Sequence, residues 1–106
     1  MSLAQKKCTA CTSETPKLTA GEIGLLLPEL GDWRVASGKL EKTFVFKDFV
    51  TAIEFLNRVA EVAEGEQHHP DFSVHYNRVE FTIFTHAVGG LSENDFILAA
   101  KINALV

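Results

Sequence analysis

All four histidines of this chain fall within one stretch: His68, His69, His75 and His86. Imidazole is the side chain whose unperturbed pKa lies nearest neutrality, so such a cluster can both donate and accept protons at working pH. Two carboxylates bracket the stretch, Glu64 before it and Asp95 after it. Histidines with carboxylates to orient them suit general acid–base chemistry. As neutral ligands, the same imidazoles also suit zinc and an activated water. Adjacent side chains on a regular strand point to opposite faces, however, so His68 and His69 share one ion only on an irregular backbone. Proton transfer is the favoured chemistry, and no metal is expected.

A hairpin and two helices must position these groups. Phe72, Val74 and Tyr76 alternate, as do Val79, Phe81 and Ile83, and Asn77-Arg78 between them reads as a two-residue turn. That register sets Tyr76 opposite Val79, Val74 opposite Phe81 and Phe72 opposite Ile83. Extended outward, it pairs His75 with Glu80 and brings His69 against His86 at the open end, beside His68. His75 lies on the other face, as an exposed structural residue outside the catalytic set.

Upstream, Asp48 caps a long helix with Phe49, Ala52, Ile53, Leu56, Ala60 and Ala63 at helical spacing. The helix should run to about Glu64, with Gly65 as its stop. A carboxylate at that end opposes the helix dipole, which points to another duty for Glu64, such as orienting a histidine. Downstream, Gly89-Gly90 breaks the chain and Ser92 caps a last helix bearing Phe96, Ala99, Ala100 and Ile102. Asp95 occupies the third helical position of a capping box, from which it can cap the helix and also reach the site.

Earlier in the chain, Thr19 to Glu22 form a capping box for a short helix ending near Pro28. Trp33-Arg34-Val35 and Leu40 to Phe46 read as a hairpin across Ser37-Gly38-Lys39. The order α-β-β-α-β-β-α implies an α+β domain: a four-stranded, largely antiparallel sheet with helices packed on one face. Residues 1–17 are polar and read as a flexible N-terminal arm, with the domain over 18–106. Cys8 and Cys11, in Cys-Thr-Ala-Cys, offer half a zinc site or a redox pair; the plainer reading is two reduced thiols on that arm.

The 106 residues, 46% of them hydrophobic, suit one domain. A formal charge of −4 without clustered Lys and Arg argues against nucleic acid as a partner. No apolar run approaches the roughly 20 residues that span a bilayer. The start, Met1 to Lys7, lacks the apolar core of a signal peptide, so a cytoplasmic protein is expected. An open sheet leaves edges to cover, which makes self-association reasonable.

The spaced set Glu64-x-x-x-His68-His69-Pro70, Tyr76, His86 and Asp95 resembles the pterin-4a-carbinolamine dehydratases. The likeness continues in Thr85-His86, in Gly90-Leu91-Ser92-Glu93-x-Asp95, in Trp33 and in Phe46-Lys47-Asp48-Phe49. It covers residues 18–104 and leaves out the cysteine arm. The resemblance implies dehydration of 4a-hydroxytetrahydrobiopterin to quinonoid dihydrobiopterin, a step in cofactor recycling after aromatic amino-acid hydroxylation. It implies no metal or organic cofactor. It further implies that His68, His69 and His86 surround the pterin, with His68 and His86 as leading acid–base groups and His69 as a stabilising or alternate acid. Glu64 and Asp95 would orient or tune them, and Pro70, Thr85, Ala87 and Val88 would line the pocket, partly through backbone groups. Members of the family are homodimers or homotetramers. Some also act as dimerisation cofactors of transcription factors, so a regulatory binding protein of the same fold is the alternative.

Overall fold

The structure, a computed structural model, describes residues 2–9 and 14–106. Local capping chemistry decides where its helices begin. Thr19 Oγ1 accepts from the Glu22 N–H at 3.2 Å, while Glu22 Oε1 accepts from the Thr19 N–H at 2.9 Å, which starts α1 (Ala20–Leu26). Pro28 sits in the 3-10 turn Leu27–Leu30 that follows and bars continuation. Asp48 Oδ1 accepts from the Thr51 N–H at 2.8 Å and starts α2 (Phe49–Glu66).

The expected stop of α2 at Gly65 is corrected. The helix runs through Gly65 to Glu66, and Gln67 takes the left-handed conformation at φ 54°. Glycine inside a helix costs only about 1 kcal/mol. The end is fixed instead by two closing bonds, from the Gln67 N–H to Glu64 O at 3.3 Å and from the His68 N–H to Ala63 O at 3.2 Å. His68 is thereby held by its own backbone at the point where the helix ends.

Four antiparallel strands form one sheet in the order β1-β2-β4-β3. β1 (Arg34–Ala36) and β2 (Lys39–Val45) join through Ser37-Gly38, both at positive φ. β3 (Asp71–His75) and β4 (Arg78–Ile83) join through Tyr76-Asn77. The turn therefore closes one residue earlier than the sequence suggests, and Tyr76 rather than Asn77 carries positive φ, at 57°. Asn77 is occupied elsewhere: its Nδ2 donates to Phe46 O and its own carbonyl accepts from the Phe46 N–H, each at 2.8 Å. These bonds stitch the turn to the end of β2 and outweigh the strain of a left-handed tyrosine. Each partner moves by two positions, so every side chain keeps its face. Val74 faces Val79, Phe72 faces Phe81 and Ser73 faces Glu80, while His75 faces Arg78 rather than Glu80.

The helices cover one face of this sheet. Leu40 and Phe44 of β2 meet Val79, Phe81 and Ile83 of β4 and Ala52, Phe55, Leu56, Val59 and Ala63 of α2 in the core. Phe44, Phe55 and Phe81 form its aromatic centre, with Phe44 and Phe55 ring centroids 5.2 Å apart. Phe49 and Ala60, although on the apolar spacing, are exposed.

Helix α3 (Glu93–Asn103) is buried nearly all round: Phe96, Ile97, Leu98, Ala99 and Ile102 are all in the core. The N-terminal segment covers its outer side. Leu3 is buried, Lys101 Nζ donates to Ala4 O at 2.8 Å, and Lys6 Nζ lies 3.1 Å from Glu93 Oε2. Residues 2–9, expected as a loose arm, are docked because Leu3 has an apolar seat and the helix offers partners for its backbone. Among the described residues no helix is long and apolar enough to cross a membrane.

The Thr51 hydroxyl and N–H, both bonding the Asp48 carboxylate, hold that carboxyl below its ordinary range. A carboxyl lowered in the folded state stabilises above its unfolded pKa of about 3.9 and loses that contribution as pH falls. Asp48→Ala is therefore expected to lower the thermal midpoint at pH 7, with the gap to the parent narrowing below about pH 4. Thermal melts across pH check this; a gap that does not change with pH contradicts the cap.

Candidate active site

Three segments distant in the chain converge on the carboxylate of Asp95. Ser92 stands at the N-terminus of α3, and its N–H donates to Asp95 Oδ2 at 2.8 Å. Thr85 lies just past β4, where the bonds Thr85 N–H to Gly90 O (2.8 Å) and Gly90 N–H to Thr85 O (3.4 Å) pinch the chain into a closed loop. That pinch aims Thr85 Oγ1 at Asp95 Oδ2, to which it donates at 2.9 Å, while Ser92 Oγ lies 2.8 Å from the same hydroxyl. The other oxygen, Asp95 Oδ1, is 2.6 Å from His68 Nε2. Asp95 is fully buried, and the His68 ring is mostly so, at 13% exposure.

This geometry sets the chemistry of His68. A carboxylate only accepts, so Nε2 carries the hydrogen and Nδ1 is left to face other partners. Asp95 thus fixes both the tautomer and the orientation of the ring, as a buried carboxylate does for a histidine base.

His69 Nε2 lies 3.1 Å from Glu64 Oε2, with both groups largely exposed. Such a pair is worth little to stability. Glu64, in the last turn of α2, thus reaches His69 and not His68. His86 opens the 3-10 turn His86–Val88 within the pinched loop, and Gly89 supplies the left-handed residue that closes it. The exposed His86 ring packs on Phe84 with centroids 4.2 Å apart, and Lys39 Nζ lies 4.3 Å from the Phe84 centroid. The expected strand pairing of His69 with His86 is not formed, because β3 begins only at Asp71 and β4 ends at Ile83. Pro70, which has no N–H for a ladder, separates His69 from the sheet.

His68, His69 and His86 nevertheless share one cleft of about 400 Å³, within the range of small-molecule sites. Thr85 and Ala87 line it too, whereas Pro70 and Val88 are not among its lining residues. Gln67, Asp71 and Phe84 complete its walls together with Thr9 and Asn94. The first three adjoin predicted site residues in sequence. Asn94 likewise adjoins Asp95, whereas Thr9 carried no signal, because only the docking of the N-terminal segment brings it there. His75 lies outside the cleft, exposed on β3, with Nε2 3.2 Å from Ser73 Oγ; Glu80 is 3.6 Å from Arg78 instead.

Among the described residues no cluster of three His, Cys, Asp or Glu side chains is placed to hold a metal ion. Burial and the neighbouring Glu66 push the Cys8 thiol up to about 12, so it is protonated at neutral pH and unsuited to ligation or attack. Cys11 lies outside the described residues.

A small α+β domain with histidines and carboxylates gathered on a cleft of this size is fitted to proton transfer on a small molecule. Comparison with known proteins gives the class a family. The family model described as pterin 4 alpha carbinolamine dehydratase matches residues 16–105. A Nitrosospira multiformis protein that carries the name pterin-4-alpha-carbinolamine dehydratase is 44% identical over 97% of this chain and 91% of its own. One from Nitrosomonas eutropha is 47% identical over 98% of this chain and 93% of its own. The crystal structure of a transcriptional coactivator/pterin dehydratase from Brucella melitensis superposes with a TM-score of 0.82 at 37% identity, over 85% of this chain and 98% of that one. The chain belongs to the pterin-4-alpha-carbinolamine dehydratase family, which are hydro-lyases.

Removing the Asp95 carboxylate would leave the Ser92 N–H and the Thr85 hydroxyl buried without their acceptor. Asp95→Ala is therefore expected to cost about 1–3 kcal/mol or more of stability, read by urea unfolding. An unchanged unfolding midpoint would show that Asp95 does not organise these segments.

Proposed function

We propose that this protein dehydrates 4a-hydroxytetrahydrobiopterin to quinonoid dihydrobiopterin and water by histidine general acid–base catalysis, in the recycling of tetrahydrobiopterin after aromatic amino-acid hydroxylation. The observation that carries the proposal is the 2.6 Å contact of His68 with the buried Asp95 on the wall of a histidine-lined cleft. The reaction needs one proton delivered and one removed. Protonation of the 4a-hydroxyl lets it leave as water; the N5 proton passes to a base, and the N5 lone pair closes the C4a=N5 double bond. Imidazoles are suited to both transfers near neutral pH, and such groups contribute about 10²–10⁴-fold to rate.

His68 and His86 take the leading acid–base roles in this reading. His69 stabilises the developing charge or serves as alternate acid, steered by Glu64. Asp95 orients His68. Thr85 and Ala87 line the pterin pocket, with Pro70 and Val88 contributing next to it through the backbone. No metal or organic cofactor enters the reaction. The protein works in the cytoplasm as a homodimer or homotetramer: β3 is an edge strand, and its Phe72 and the adjoining Tyr76 are exposed. A second reading, as a regulatory binding protein, is favoured by the description of the Brucella melitensis structure as a coactivator as well as a dehydratase.

Stopped-flow dehydration of synthetic carbinolamine separates the two readings. His68→Ala and His86→Ala are each expected to lower the rate at least about tenfold, while His75→Ala stays near the parent. A parent protein that gives no acceleration would favour the binding role. A folded but inactive His75→Ala would overturn the assignment of roles.

A further inference from the structure

The N-terminal segment does more than cover α3; its tip borders the cleft. Thr9 lines the same space as His68 and His86. Asn94, buried in the first turn of α3, clasps the Thr9 backbone from both sides. Asn94 Oδ1 accepts from the Thr9 N–H at 3.0 Å, and its Nδ2 donates to Thr9 O. One residue earlier, the Cys8 N–H donates to Glu66 Oε1 at 2.7 Å, at the end of α2. Glu66 also lies 3.9 Å from Lys101, whose ammonium bonds Ala4 O. The segment is therefore tethered to the two helix ends that present His68 and Asp95. Successive residues diverge by about 100° around a helix of 3.6 residues per turn. Asp95 and Asn94, side by side on α3, thus grip two different walls of one cleft: the histidine and the arm.

We propose that Thr9 is a binding wall of the substrate cleft, and that Asn94 is the positioning residue that holds it there. The inference rests on the pterin dehydratase reading and extends it to a segment outside residues 16–105, the stretch matched by the family model. The arm touches none of the proton-transferring rings in the described bonds. Its release therefore opens the cleft and weakens substrate binding while the groups that move protons stay in place. This is the signature of lost binding that is uniform between ground and transition state: a raised KM with kcat retained.

The test uses the full chain with two substitutions. Asn94→Ala removes the clasp from the helix side, and Thr9→Pro removes the donated N–H from the arm side, away from the core. Each is expected to raise KM about three- to tenfold, the range for one or two lost hydrogen-bonded contacts, with kcat within about twofold of the parent. Trypsin should cut faster after Lys6 and Lys7 in both variants. In the parent, 7,8-dihydrobiopterin, a stable isomer of the product, should slow that cleavage, because coupling between arm and ligand is reciprocal. If either variant does not fold, protection of the parent alone decides the matter. Folded variants with parental KM, or binding of 7,8-dihydrobiopterin without protection, would overturn the role of the arm. Failure of 7,8-dihydrobiopterin to bind the parent in equilibrium dialysis would instead sink the pterin reading on which it rests.

Discussion

A carboxylate with no exposure to water must find its partners within the protein, and Asp95 is the point at which this chain meets that demand. One oxygen closes the N-terminus of α3 and receives the Thr85 hydroxyl; the other receives His68. The start of a helix, the exit of a strand and the residue after another helix are thereby fixed to one another. Losing any member leaves a buried polar group unpaired, and that costs more than a single hydrogen bond typically contributes net. The same constraint prepares the chemistry, since the ring held by Asp95 has one tautomer and one orientation.

The histidines then differ by environment. His68 is sheltered and tied to a buried acid; His69 is exposed and tied to an exposed one; His86 stands on the rim of a pinched loop against Phe84. Three similar rings are thereby given different partners and different access to water. In the proposed reaction, the shelter of His68 and the openness of His86 allow one proton to be held and another to be exchanged.

What the sequence disclosed follows the range of the interactions involved. The caps at Thr19, Asp48 and Ser92 rest on contacts three residues apart and were legible, as was the dual position of Asp95. The α+β order and the outward placement of His75 follow from alternation, which survives a two-residue slip. The slip itself was not legible, because Asn77 is held by Phe46 across the sheet. The end of α2 depends on where two backbone bonds close rather than on the glycine nearby. Thr9 reaches the cleft through Asn94, far along the chain, and no local pattern announces that contact. The histidines were expected to meet across a ladder; they meet instead across a cleft built from a helix end and a loop.

The account depends most on Asp95 acting through His68. The direct measurement is a double-mutant cycle on the dehydration rate, with Asp95→Asn and His68→Ala made singly and together and each variant checked for folding. If the carboxylate works by orienting that ring, the double variant should be no slower than His68→Ala alone, because residues acting as one unit are strongly non-additive. Rate losses that multiply would mean that the two groups act independently and would contradict the account.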